Sequence, residues 1–336
     1  MNSIQEKSRR TLVFGGTGFL GYYLAQELAS HREEVVLFGR GTFSTAAKTQ
    51  LPDNVRVQRG DIGGMTASEL RELVEVYDEI VYAAGADDRR LVNLEKYASP
   101  AAYFHEQNVG LLERVLTASM GRRIQSFVLY NSYFATHARL HPEWRLTEKH
   151  PYIASRVAQV RLIEKYAADW PGVSFGILEI PFVMGATPGH PSLFAPLVQS
   201  LRRMPVFFVF PGKTVLMTAR DVARATRIAL TRPPSSVYVP LETYGIEWSA
   251  WIKEILRCMH VRRPVAVLPL AMFKAGCHLG HLGLRLSGKG SGLDLRVLMD
   301  FLGQDLSLPG GKDAAEGLPP EMMDAIRDLV ASEALL

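Results

Sequence analysis

The stretch "VFGGTGFLG", residues 13–21, constrains this chain more than any other. An apolar run, "TLVFG" (11–15), meets three glycines spaced three apart, Gly15, Gly18 and Gly21, and a helical pattern then continues through Leu24 and Leu28. Glycine at such a junction permits a tight turn, lets backbone approach a pyrophosphate, and allows a helix to pack closely on the strand before it. The helix N-terminus then points its free N–H groups at the phosphates. A glycine triplet alone is weak evidence, but a strand before and a helix after is the context the motif needs.

The next segments continue the rhythm. "EVVLF" (34–38), "NVRVQ" (54–58), "EIVYAAG" (79–85), "SFVLYN" (126–131) and "VSFGILEI" (173–180) read as strands. Helical segments are expected near 68–77 and 104–119, and from Pro151 to Ala168, where proline suits a first turn. Apolar strands alternating with helices predict an α/β fold with a doubly wound parallel sheet. The dinucleotide-binding domain is expected over residues 8–178, with 214–240 returning to it. Residues 179–336 are expected to form a smaller, interleaved substrate-binding region. There "VFFVFPGKTVLM" (206–217) reads as a hairpin, "ARDVARATRIAL" (219–230) as a helix, and the tail from 309 as a linker before a last amphipathic helix.

The chain of 336 residues is 47% hydrophobic, enough for a large core. Its net charge of +4 is spread without a Lys/Arg block, so no nucleic-acid partner is expected. The two cysteines, Cys258 and Cys277, have no metal spacing and fit a reducing compartment, and the N-terminal "MNSIQEKSRR" reads as no signal peptide. A cytoplasmic protein is the expectation. The apolar segment 264–286 is broken by Lys274, two histidines and a proline. It reads as a cover over a pocket or a homodimer contact; a membrane partner is not expected, surface attachment being the lesser reading. His278 and His281 lack a matching ligand cluster, so no metal is expected. No Gly-x-Ser-x-Gly elbow supports a hydrolase.

"HPYIASRVAQ" (150–159) places Tyr152 four residues before Arg156, on one helix face. By itself such a pair is an ordinary cation–π contact. The surrounding motifs give it another meaning. With G-x-x-G-x-x-G, "GDI" (60–62), "YAAG" (82–85), "NVG" (108–110), "YNSYF" (130–134), "PYIASR" (151–156), "PFVMG" (181–185) and "ARDVARA" (219–225), the chain resembles the extended short-chain dehydrogenase/reductases. That family includes epimerases, dehydratases, and hydroxysteroid- or dihydroflavonol-type reductases. The resemblance covers residues 10–245.

The resemblance implies a nicotinamide cofactor held by Gly15, Thr17, Gly18, Phe19, Leu20 and Gly21, then Asp61 and Ile62 at adenine. Ala83, Ala84, Gly85, Asn108, Tyr152, Arg156 and Pro181 complete the implied set. It also implies that Tyr152 exchanges a proton with a substrate oxygen. Arg156 stands where the family carries lysine, and the swap is not conservative. Ser132 falls one place before the family's usual serine or threonine and Tyr133 occupies that place, so both are candidates to orient a carbonyl. His137 lies just beyond as a possible acid. The second strand ends in Gly39 and Arg40 instead of a carboxylate, which favours NADP(H), with NAD(H) open.

Phenol reference pKa is about 10, so abstracting a proton demands strong tuning while donating one does not. Arginine in place of lysine therefore leans toward reduction. Phe182 and Thr214 replace the asparagine and arginine with which sugar-nucleotide members hold a diphosphate, leaving Lys213 as the nearby cation. Phe182, Leu193, Phe194, Phe207 and Phe208 suggest an apolar pocket. Asp87 and Asp88 read as a solvated loop. The expected activity is NADPH-dependent reduction of a small, largely apolar carbonyl compound. A nucleotide-sugar epimerase or dehydratase, and a catalytically silent dinucleotide sensor, are the alternatives.

Overall fold

The computed structural model describes residues 8–231, 237–314 and 317–335. The N-terminal segment read above for a leader lies largely outside them, as do parts of the 214–240 segment and of the tail. Six strands form the central sheet: β1 (Arg10–Phe14), β2 (Glu34–Gly39), β3 (Val55–Arg59), β4 (Glu79–Tyr82), β5 (Ser126–Ser132) and β6 (Ser174–Ile180). All pair in parallel, in the order β3-β2-β1-β4-β5-β6. The order reverses direction between β1 and β4, and that switch point opens a crevice at the carboxyl ends of the strands.

Alternate residues of each strand feed the two faces. Leu12, Phe14, Val36, Phe38, Ile80, Tyr82, Phe127 and Leu129 pack on one side against α2 (Ala67–Val74), α3 (Leu111–Ser119) and α5 (Pro151–Asp169). Val13, Val35, Leu37, Val81, Val128 and Tyr130 pack on the other against α1 (Phe19–Ala29) and α7 (Ala219–Thr231). Both faces are covered over five of the six strands, which is why these read as mainly apolar runs, while the edge strand β3 alternates Val55 and Val57 with exposed polar residues. After α7 the chain returns to the sheet edge, where Ile177 and Tyr238 form a parallel bridge.

One ion cluster lies at the amino end of the sheet, opposite the crevice. Glu79 accepts from Arg9 at 3.1 Å, Arg32 at 2.6 Å and the Thr11 hydroxyl at 2.7 Å, all of them buried.

The expected hairpin at 206–217 does not form. Phe207–Val209 (β8) pairs in parallel with Val265–Val267 (β11). Lys213–Thr218 (β9) instead joins a second sheet, between Phe182–Met184 (β7) and Tyr244–Glu247 (β10). The Pro211–Gly212 turn separates the two strands; Gly212 has φ +117, and a Cβ there would meet Gln304 O at 2.8 Å. The core of the smaller region gathers Trp248, Trp251, Ile255 and Leu256 of α8 (Trp248–Cys258) against Met322, Ile326 and Leu329 of α11 (Pro320–Ala331). Between them run α9 (Leu270–Leu286) and α10 (Leu295–Leu302), following α6 (Ala195–Arg203), α4 (Tyr133–Leu140) and α5 in the chain.

Candidate active site

The glycine loop closes tightly on the sheet. Gly15 has φ +78, and a Cβ there would lie 2.6 Å from the Ala83 backbone; a Cβ at Gly21 would lie 2.0 Å from Gly16 O. Gly18 is the N-cap of α1, and its side-chain-free face leaves the first N–H groups of that helix open to the crevice. These are the features of a pyrophosphate cradle.

The cleft, about 440 Å³, runs from this loop to the second sheet. Gly15, Gly18, Phe19, Leu20 and Gly21 line one end together with Ala83 and Gly85. Ser132, Tyr133, Tyr152, Arg156 and Pro181 line the middle, and Phe182, Val183, Leu193 and Phe194 close the far end. Thr17 lines an adjoining cavity with Phe43 and His190. Arg40 and Asp61 line a neighbouring cleft of about 740 Å³. Asp61 also caps a short helical turn, its carboxylate accepting from Gly63 N at 3.1 Å.

Tyr152 enters on the first turn of α5. Its ring is bounded edge-on by Phe104 (centroids 5.7 Å) and Phe134 (6.2 Å), while the Arg156 guanidinium carbon lies 5.1 Å from its centroid. The cation–π contact is therefore present, inside the cleft. Arg156 also donates to Gln159 Oε1 at 2.9 Å and more weakly to Tyr130 O at 3.4 Å, and its buried Nε has no hydrogen-bond partner among the described residues. Burial drives the Tyr152 phenol above its ordinary range. The Arg156 charge, and hydrogen bonding by Arg156 and Ser132, pull the other way, while Asp88 adds to the rise; burial prevails.

Ser132 and Tyr133 differ in placement. Ser132 ends β5, caps α4, and lies near enough to act on the Tyr152 hydroxyl. The buried Tyr133 hydroxyl is turned toward Thr214, although neither hydroxyl completes a hydrogen bond among the described residues. Asn108 is fully buried in a π-helical turn (His105–Gly110). Its amide clamps the loop after β4, accepting from Ala86 N at 2.7 Å and donating to Ala86 O at 3.3 Å and Ser155 Oγ at 2.9 Å. It thus shapes the cleft wall. Ile62 and Ala84 pack into the sheet core.

Several expectations need correction. Phe208 is exposed and Phe207 packs into the smaller region's core, because β8 pairs away from the cleft; neither lines it. His137 is buried, its Nε2 3.1 Å from Leu306 O, and burial lowers its pKa to about 4, so it is no acid for this cleft. The Asp87–Asp88 pair is not uniformly solvated. Asp87 pairs with Arg89, but Asp88 is half-buried, lines the cleft and acts on Tyr152 and Tyr133. Both line the cleft, Asp87 exposed and Asp88 half-buried, a difference in burial that no spacing rule reveals. The 264–286 segment, a short strand followed by α9, does not line the cleft either.

The family model for the NAD dependent epimerase/dehydratase family matches residues 11–239. The chain belongs to that family. No curated protein matches the sequence. Solved structures share the fold across nearly the whole length. A UDP-N-acetylglucosamine 4-epimerase from Methanobrevibacter ruminantium M1, in complex with UDP-N-acetylmuramic acid, is 13% identical with TM-score 0.66, covering 97% of this chain and 98% of that one. A UDP-glucose-4-epimerase from Stenotrophomonas maltophila with bound NAD is 17% identical with TM-score 0.65 over the same shares. A UDP-glucuronic acid 4-epimerase from Bacillus cereus in complex with NAD is 14% identical with TM-score 0.64, again over 97% and 98%.

Proposed function

We propose that this protein is an NADPH-dependent reductase of a small, largely apolar carbonyl compound. The observation that carries the reading is the far end of the cleft. Phe182 lies among Phe194 (6.0 Å), Trp248 (5.7 Å) and Trp251 (6.0 Å), where a sugar-nucleotide enzyme of the family would present asparagine. Thr214 is buried, and Lys213 is held by Asp313 at 3.2 Å and Asp305 at 4.0 Å, away from the cleft. The cations lining the cleft are Arg89, paired with Asp87, and Arg156. Two phosphate charges would be poorly paired there, at a cost of several kcal/mol.

A dinucleotide fits the remainder: the Gly15–Gly21 cradle for pyrophosphate, Tyr152 and Arg156 for the nicotinamide ribose, Asp61 for adenine. Arg40 supports a 2′-phosphate. An acid at the end of β2 is also sterically disfavoured, since a Cβ at Gly39 would lie 2.4 Å from Thr17 Oγ1. When bound, the cofactor supplies the hydride. Ser132 holds the carbonyl oxygen by hydrogen bonding, and Tyr152, kept protonated by its burial, gives that oxygen its proton. Arg156 stabilises the phenolate that remains.

The similar structures named for UDP-sugar epimerases favour the second reading, a nucleotide-sugar epimerase. Calorimetric titration with UDP, GDP and TDP separates the two, alongside NADPH oxidation over a panel of aromatic and aliphatic ketones and aldehydes. Turnover of an apolar carbonyl with no nucleotide binding outside the cofactor site is expected. Micromolar binding of a nucleoside diphosphate there would transfer the assignment to the epimerase; cofactor binding with no turnover of any carbonyl would leave a dinucleotide sensor.

A further inference from the structure

The outer face of α9 is apolar and exposed, with none of the described residues covering it. Met272 (58% exposed), Leu279 (72%), Leu282 (54%) and Leu286 (81%) fall at helical spacing, with Ala275, Gly276 and Gly283 between them. At about 100° per residue these positions form a single stripe that contains no charge. The opposite face is anchored: Leu270, Phe273 and Cys277 pack against the cluster containing Phe301 and Leu298, and Lys274 pairs with Asp300. The helix is therefore held firmly, with its apolar stripe facing away from the protein.

Charge identifies what the stripe meets. From Ile255 to Leu293 the sequence has six Lys/Arg residues (Arg257, Arg262, Arg263, Lys274, Arg285 and Lys289) and no Asp or Glu. The rest of the chain holds 32 basic and 34 acidic residues, so the net positive charge is concentrated in this segment rather than spread as the sequence reading has it, although its six cations form no contiguous block. His278 and Arg285 border the stripe on one side and are exposed. Arg262, Arg285 and Lys289 are exposed and form no ion pair among the described residues. A two-fold contact between copies through this face would set this basic segment against itself. An anionic bilayer offers both halves of the complement, hydrocarbon for the leucines and phosphate for the cations. No described helix is long and apolar enough to cross a membrane, and a helix of 17 residues with one face packed on protein suits lying in the interface instead.

We propose that α9 docks the protein on the surface of an anionic membrane, its Met272–Leu286 stripe entering the headgroup boundary. The sequence reading placed surface attachment second; the exposure of every large residue on one side of the helix reverses that order.

The test is co-sedimentation of the full chain with vesicles of phosphatidylcholine alone and with roughly a third phosphatidylglycerol, at low and high salt. Binding to the anionic vesicles, at least about tenfold weaker to neutral ones and weakened by salt, is expected. Leu279→Gln with Leu282→Gln should reduce it by at least about tenfold. Both side chains are exposed, so the thermal melt should not move. Arg285→Gln with Lys289→Gln should weaken anionic binding alone. No binding, equal binding to both lipids, or binding untouched by the leucine changes would overturn the proposal. So would a wild-type dimer that the leucine changes dissociate, with no vesicle binding by either form.

Discussion

At the residue scale, the site turns on how one phenol is tuned. Tyr152 is buried, with Arg156 stabilising its anion and Asp88 opposing that stabilisation. Reduction needs the protonated phenol, so activity should fall as pH rises through its pKa. Removing the Asp88 charge lowers that pKa; the alkaline limb of kcat/KM in Asp88→Asn should move to lower pH. Arg156→Gln should move it to higher pH and weaken cofactor binding as well. A limb that stays in place in both variants would remove Tyr152 as the proton donor. Tyr152→Phe should retain NADPH affinity while lowering kcat by about 10²–10⁴, read by stopped-flow absorbance. At the other end of the cofactor, Arg40→Ala should erase most of the proposed preference for NADPH over NADH, because on that proposal the 2′-phosphate loses its guanidinium. Equal wild-type affinities would refute the NADPH assignment.

At the element scale, β4 joins the two ends of the fold. Its carboxyl end supplies Ala83 and Gly85 to the cleft, and its amino end carries Glu79, which holds Arg9 and Arg32 in the interior. Removing a carboxylate charge from such a cluster leaves cations buried without their counterion. Glu79→Gln should destabilise the fold by about 3–5 kcal/mol in urea unfolding at neutral pH. Loss of less than about 1 kcal/mol would mean that the cluster relaxes into solvent. Cofactor affinity of the folded fraction should hold, since the cluster lies at the opposite end of the sheet.

Across the whole molecule, two buried histidines link the Tyr152 helix and β5's continuation to the C-terminal region. His150 Nδ1 accepts from Asp294 N at 3.0 Å, and His137 Nε2 meets Leu306 O. Burial holds both pKa values down, from 6.5 to about 4. Below pH 6.5 the unfolded chain binds these protons while the native state does not. Stability is thus complete above that value, declines as pH falls toward 4, and levels off beyond it, each imidazole contributing up to about 3 kcal/mol. Denaturant midpoints at pH 7 and pH 5 should differ in that direction, and His137→Gln with His150→Gln should flatten the difference. The same midpoint at both pH values in the wild type would contradict it.

Much of this was readable in advance. Local chemistry announces the βα turn at Gly15–Gly21, the six strands and the Tyr152 helix, because turn geometry, burial on both faces of five strands and the Val55/Val57 alternation of the edge strand are written in neighbouring residues. The family motifs supplied the proposed site residues in the same way, from Asp61 to Pro181, and several of them, Tyr152, Arg156 and Pro181 included, line one cleft. The tertiary structure alone decided the pairing of β8 and β9, which removed Phe207 and Phe208 from the cleft; strand partners far apart in sequence leave no local trace. It alone set Asp88 half-buried beside an exposed Asp87 at the cleft, and gave the Asn108 amide to the Ala86 backbone. It alone determined which face of α9 is covered. An amphipathic pattern states that one side is apolar, while only the packing of Leu270, Phe273 and Cys277 against the core leaves Leu279, Leu282 and Leu286 outside.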